Sequence, residues 1–234
     1  LANMGVYLFR REVLDKALWE DRQRKGSSHD FGKDILPRLI KSKTRVFAYP
    51  YSGYWMDVGT LASYWQAHMD LLAPSPHLKL YNRSWIIHTR TAERPPARFP
   101  AKGKVYASMI CDGCFIEEGA TVESSVLSPG VIVRSGAVVR ESIVLTDAEI
   151  RSGAVVERSV LDKQARVEEH ARVGWGVTDQ NIRIALVGKG SVVPSGYVVE
   201  PEAEIGTDVI QSDYPDPTIR AGQVIQTKRQ PNEI

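Results

Sequence analysis

The second half of the chain repeats itself. From Ile116 it reads IEEGATVESSVLSPGVI, VRSGAVVRESIVLTDAE, IRSGAVVERSVLDKQAR and VEEHARVGWGVTDQNIR, blocks of 17 residues each. Ile116, Val133, Ile150 and Val167 open the blocks; Ala120, Ala137, Ala154 and Ala171 hold the fifth slot, and Val122, Val139, Val156 and Val173 the seventh. One step back lands on Phe99 and Val105, which sets the start of the series near 99. Val187, Val193, Val199 and Ile205 then recur every six residues. Fixed Val and Ile slots at so short a period exclude a helix pair and predict a parallel β-helix, built from faces of about six residues with one corner shortened. The branched side chains point inward. Gly119, Gly136 and Gly153 turn one corner, where positive φ costs glycine little. Coils stack about 4.8 Å apart as parallel strands, and each buries its face only against its neighbours, so several are needed for stability.

Residues 1–73 read differently, as mixed α/β. Val6–Phe9 and RVFAY (45–49) are strand-like runs. REVLDKALWEDRQR (11–24) sets Val13, Leu14, Ala17 and Leu18 on one helical face. DFGKDILPRLIKS (30–42) predicts a second helix capped by Asp30, with Pro37 kinking it or delaying its start. Thr60 caps a third, LASYWQAHMDLLA (61–73). Residues 74–98 hold Pro74, Pro76, Pro95 and Pro96 with little periodicity, as a connecting segment does. The expected division is therefore 1–73, a linker 74–98, and a β-helix over 99–234.

Composition excludes several classes. Hydrophobic content is 43%, charged content 25% and net charge +2, so nothing demands nucleic acid or an anionic membrane. No apolar run approaches the ~18 residues of a membrane span. Cys111 and Cys114 do not make a disulfide framework, which fits a reducing cytosol. The chain starts almost directly in an apolar run, without Met and without the features of a signal peptide, and is expected to begin inside a domain.

GYWMDVGT (53–60) puts an aromatic face and a carboxylate two residues apart, between the strand-like run and the third helix. In a strand, Trp55 and Asp57 would face one side together. This string, with NMGVYLF (3–9), SSHDFGKDILP (27–37), GYWMDVGTLASYWQAHMDLL (53–72), LYNRSWIIHT (80–89), PPARF (95–99) and the repeats, resembles the ADP-glucose pyrophosphorylases, or glucose-1-phosphate adenylyltransferases, a family of sugar nucleotidyltransferases. The resemblance covers nearly the whole chain. It implies part of a Rossmann-like catalytic domain followed by a left-handed β-helix that serves regulation and oligomerisation. It also implies a reaction of ATP with glucose 1-phosphate, aided by Mg²⁺, that gives ADP-glucose and pyrophosphate for glycogen or starch synthesis. The family's Gly-rich nucleotide loop, metal-binding Asp and phosphate-holding Lys precede NMGVY and are absent from this sequence. The 234 residues alone are therefore expected to be inactive, with no catalytic group and no metal site of their own.

The sugar must be held by its hydroxyls. Carboxylates accept strong hydrogen bonds from neighbouring OH groups, and Trp or Tyr offers a flat apolar wall with a polar handle. The resemblance assigns glucose 1-phosphate to Asn3 (where the family usually has Ser), Tyr7, Asp30, Trp55 and Asp57. On the residues alone, Asp30 is equally a helix cap, Asp57 a turn cap and Trp55 plain core. By the same resemblance Lys163 and Lys189, with Arg158 adding, contact a sugar-phosphate or other anionic effector; the bland reading is solvated surface charge.

Other motifs carry less. CDGC (111–114) has zinc-like spacing but no second pair, and Cys114 falls 17 residues before Val131, an inward slot. GKGS (188–191) lacks the phosphate-loop frame. His170 replaces a corner Gly; an acyltransferase base could sit there, but no substrate loop accompanies it. Alternatives that remain are a non-catalytic regulatory subunit of the same enzyme, a nucleotidyltransferase making UDP- or GDP-sugars, and, less in keeping with residues 1–73, an acyltransferase. Coil edges suggest self-assembly, and the family is typically tetrameric.

Overall fold

The computed structural model describes residues 2–89, 92–101, 103–175 and 182–230. The chain divides into two compact units, residues 1–57 and 58–234.

In the second unit the repeat winds into a parallel β-helix with three faces. Two faces are sheets of seven strands and the third a sheet of five, each paired only in parallel. The 17-residue register holds strand by strand: Val105 pairs with Val122, Val122 with Val139 and Val139 with Val156. Ile116 pairs with Val133 on another face. The six-residue series visits the faces in turn, so Val187 returns to pair with Ile205. An isolated bridge between Arg98 and Phe115 marks the start. Val173 pairs with Val199 rather than with the residue 17 on, because extra chain enters the coil; its residues 176–181 lie outside the described residues. Val122, Val139, Val156 and Val173 are fully buried, each contributing about 1.5–3 kcal/mol by leaving water.

The corners are ordered by small residues. Gly119, Gly136 and Gly153 have positive φ, and His170 takes the same conformation at φ 59°. A second corner stacks serines. The amide of Ser142 donates to Ser125 Oγ at 3.1 Å, and that of Ser159 to Ser142 Oγ at 3.2 Å, satisfying polar groups that are fully buried. Cys114 is in the core, its thiol pushed up in pKa foremost by burial, and Cys111 is half-buried.

The helix Leu61–Leu71 (α3) packs within this unit. Thr60 and Ser63 cap it reciprocally, each side chain at 3.1 Å from the other's amide. Trp65 packs with Ile143, Val160 and Ile184. On this face Val144 and Leu161 fill the interior while Ile143 and Val160 are also buried, covered from outside by the helix. The connecting segment is pinned as well: Arg94 clasps Asp147 with two bonds of 2.7 and 2.9 Å.

The first unit holds helix α1 (Arg11–Arg22), a wide turn over Phe31–Ile35 and helix α2 (Leu36–Lys41). The wide turn reconciles Pro37 with helix: Pro37 sits at the start of α2, where its missing N–H is not needed. Ala17, Ile35 and Leu39 form a small core with Phe9, Val13 and Phe31; Leu18, expected on the same face as Ala17, is exposed. The expected strands at Val6–Phe9 and 45–49 do not form. A strand exists through its partner, and neither run joins a ladder among the described residues. Leu8 is fully exposed and Phe47 and Tyr49 are each 87% exposed.

Candidate functional site

Asn3 starts the site. Its Oδ1 accepts from the Gly5 amide at 3.0 Å, a short turn that Gly5 completes at φ 71°. The Asn3 amide then donates to the Tyr7 hydroxyl at 2.8 Å. The Tyr7 ring stacks on Phe31, centroids 5.4 Å apart. Phe31 follows Asp30, whose carboxylate accepts from the Lys33 amide at 2.7 Å and so caps the wide turn. Gly32 lies between the polar groups: a Cβ there would be 3.3 Å from Asp30 Oδ1 and 3.6 Å from Asn3 Nδ2.

Three of the five expected sugar residues, Asn3, Tyr7 and Asp30, thus lie together beside Phe31 and Gly32, all three exposed. Asp30 is a cap, as one expectation had it, and remains exposed. Trp55 and Asp57 lie on a segment with no regular element, so the strand alternation invoked for them does not apply. Trp55 is 39% exposed, not core, and Asp57 is exposed. Phe31 and Gly32 were missed from sequence, although both stand inside the quoted string. The signal was their adjacency to Asp30: an aromatic wall and a residue without a side chain beside a carboxylate.

Behind Asp30, the Asp21 carboxylate is buried. The hydrogen bond from His29, with those from Ser27 and the Arg38 charge, holds its pKa below the usual 3.8 against the opposing effect of burial. Ser28 does the same for Asp34.

The effector candidates separate. Lys163 and Lys189 stack on the same corner of successive coils: the Gly190 amide donates to the Lys163 carbonyl at 2.9 Å. Both side chains are exposed, and among the described residues neither ammonium has an ion-pair partner. Arg158 stands at the other end of the strand Ser159–Leu161, bonded to Glu141 at 2.6 Å. His170 is a corner residue whose ring lies over Gly153.

Among the described residues no group of three or more His, Cys, Asp or Glu is placed to hold a metal. No described helix is long and apolar enough to cross a membrane.

Residues 1–73 match the family model for nucleotidyl transferases, and residues 95–194 that for the GlmU-like C-terminal hexapeptide domain. The glucose-1-phosphate adenylyltransferase of Thermomicrobium roseum is 44% identical over 96% of this chain and 54% of its own length. That of Pseudothermotoga lettingae is 38% identical over 97% of the chain and 56% of its own. The Geobacillus stearothermophilus enzyme is 45% identical over 53% of the chain. The chain spans about half the length of the first two, and the match to the third covers 32% of that enzyme's length. A nucleotidyl transferase segment followed by a hexapeptide β-helix, with this similarity along nearly all of its length, is what the chain shares with the glucose-1-phosphate adenylyltransferases.

Proposed function

We propose that this chain supplies the sugar-side wall and the regulatory β-helix of a glucose-1-phosphate adenylyltransferase of glycogen or starch synthesis. The observation that carries the reading is that Asn3, Tyr7 and Asp30 lie together beside Gly32, in a chain that matches such an enzyme at 44% identity over 96% of the chain.

In the reaction a phosphate oxygen of glucose 1-phosphate attacks the α-phosphorus of ATP. The new P–O bond forms as the bond to the β-phosphate breaks and pyrophosphate leaves. Positioning and charge neutralisation do most of the work. Asp30 and Asp57 accept hydrogen bonds from glucose hydroxyls, Asn3 offers a further polar contact, and Tyr7 and Trp55 shape the apolar wall. Mg²⁺ would neutralise phosphate charge, and no described residue is assigned to it.

The free thiols Cys111 and Cys114 suit a reducing, cytoplasmic setting. Lys163 and Lys189 form an anion site for a sugar-phosphate effector, and the β-helix supports a homotetramer. Retention of Asp30 and the residues around it favours this reading over a non-catalytic subunit.

The test is pyrophosphate release by the complete polypeptide given glucose 1-phosphate and each nucleoside triphosphate in turn. ATP is expected to be preferred, and the 234 residues alone to release none. Preference for UTP or GTP, or turnover by the 234 residues alone, would overturn it.

A further inference from the structure

The loop Ser27–Asp30 is gripped alternately from two sides. Asp21, only 2% exposed, takes the odd residues. Its two oxygens each accept from Ser27 Oγ at 3.0 Å, and its Oδ2 lies 2.8 Å from His29 Nδ1. Asp34 takes the even ones: its Oδ2 accepts from Ser28 Oγ at 2.5 Å, from the Ser28 amide at 3.2 Å and from the Asp30 amide at 3.3 Å. His29 is thereby held at φ 59°, a conformation few residues other than glycine adopt.

Fastening the two helices together does not require all of this. Arg38, on α2, already donates to Asp21 at 3.2 Å and to the Ala17 carbonyl of α1 at 2.6 Å. The bonds to Ser27 and His29 add something else, a fixed path for the loop that ends on Asp30. A buried carboxylate is retained where its partners compensate its lost hydration, and here two of those partners belong to that loop.

We propose that Asp21 and Asp34 are positioning residues for Asp30, clamping residues 27–30 so that its carboxylate meets the glucose hydroxyls in one geometry. The clamp rests on the sugar-site reading above. Its benefit is preorganisation: a loop already in its bound path loses less entropy when the sugar arrives.

The double variant Ser27→Ala/His29→Asn cuts the loop side of the Asp21 clamp and leaves Asp21–Arg38 intact; Asn tolerates positive φ. In the complete enzyme we expect KM for glucose 1-phosphate to rise about tenfold, as losing about 1.4 kcal/mol of binding requires. KM for ATP should stay within about twofold. Ser27→Ala alone should show a smaller rise of the same kind if the double variant folds poorly, and Ser27→Thr, which keeps the hydroxyl, should match the parent. An unchanged KM for glucose 1-phosphate, or equal rises for both substrates, overturns the clamp. Asp30→Ala in the same assay separates the two readings. If it too leaves the sugar KM unchanged, the sugar site is wrong; if it raises that KM while the double variant does not, only the clamp is wrong.

Discussion

The indole Nε1 of Trp65 donates to the backbone carbonyl of Glu141 at 2.6 Å, tying α3 to the β-helix coil that holds Ile143. That bond and the apolar contacts with Ile143 and Val160 fix α3, which begins four residues after Asp57 in the chain. Trp65→Ala is expected to destabilise the protein by about 3–5 kcal/mol. Trp65→Phe, which keeps the ring and leaves the carbonyl unpaired, should cost about 1–3 kcal/mol. Denaturant unfolding measures both; equal, near-zero effects would mean that α3 does not dock there.

Acid should weaken the fold through carboxylates held low. Asp21 and Asp34 lie below their ordinary 3.8, and Glu117, bonded to Arg134, below 4.5. A lowered folded-state pKa means the native chain binds fewer protons than the unfolded one. This stabilisation is therefore complete above those ordinary values and is lost as pH falls through the lower native values. Urea midpoints should be flat down to about pH 5 and then decline, less steeply in Glu117→Gln. A midpoint that does not move down to about pH 3 would contradict this.

Two glycines of the β-helix with positive φ should respond differently to alanine. At Gly136 the nearest atom to a new Cβ is a backbone nitrogen 4.0 Å away, so Gly136→Ala should cost only the conformational strain, about 1 kcal/mol. At Gly174 the Cβ would strike the Glu157 carbonyl, and strain plus overpacking should reach about 2–5 kcal/mol. Thermal unfolding of the two variants orders them.

Lys163 and Lys189 on one corner of successive coils are the basis of the proposed anion site. In the complete enzyme, Lys163→Ala or Lys189→Ala should raise the half-activating concentration of a sugar-phosphate or other anionic effector several-fold, on the order of 1 kcal/mol per charge contact. Arg158→Ala should do less, because its guanidinium is bonded to Glu141 at the far end of the strand. Activation curves decide, and no change in either lysine variant would remove the site.

The β-helix was legible because its period is enforced by geometry: Val122, Val139 and Val156 must point inward at every coil, so the spacing is written in the residues themselves. The docking of α3 was written there too, in Ile143 and Val160 beside the inward Val144 and Leu161, but it reads only as extra apolarity until the helix is in place. The runs Val6–Phe9 and 45–49 misled for the opposite reason. Residue type reports a preference for pairing, not the presence of a partner. In the site, Asp30 followed from the motif that contains it. The buried Asp21 did not, because its partners Ser27, His29 and Arg38 come together only when α1 and α2 close on each other. Pro37 announced an irregular helix start, and the wide turn before it is that irregularity.

The central claim is that Asp30 and Asp57 hold glucose hydroxyls. It is tested most directly by the KM for glucose 1-phosphate of Asp30→Asn and Asp57→Asn in the complete enzyme, measured beside the KM for ATP. A charged hydrogen bond is worth about 1.5–3 kcal/mol, so each variant should raise the sugar KM by at least about tenfold and leave that for ATP nearly unchanged. An unchanged sugar KM in both variants would contradict the account.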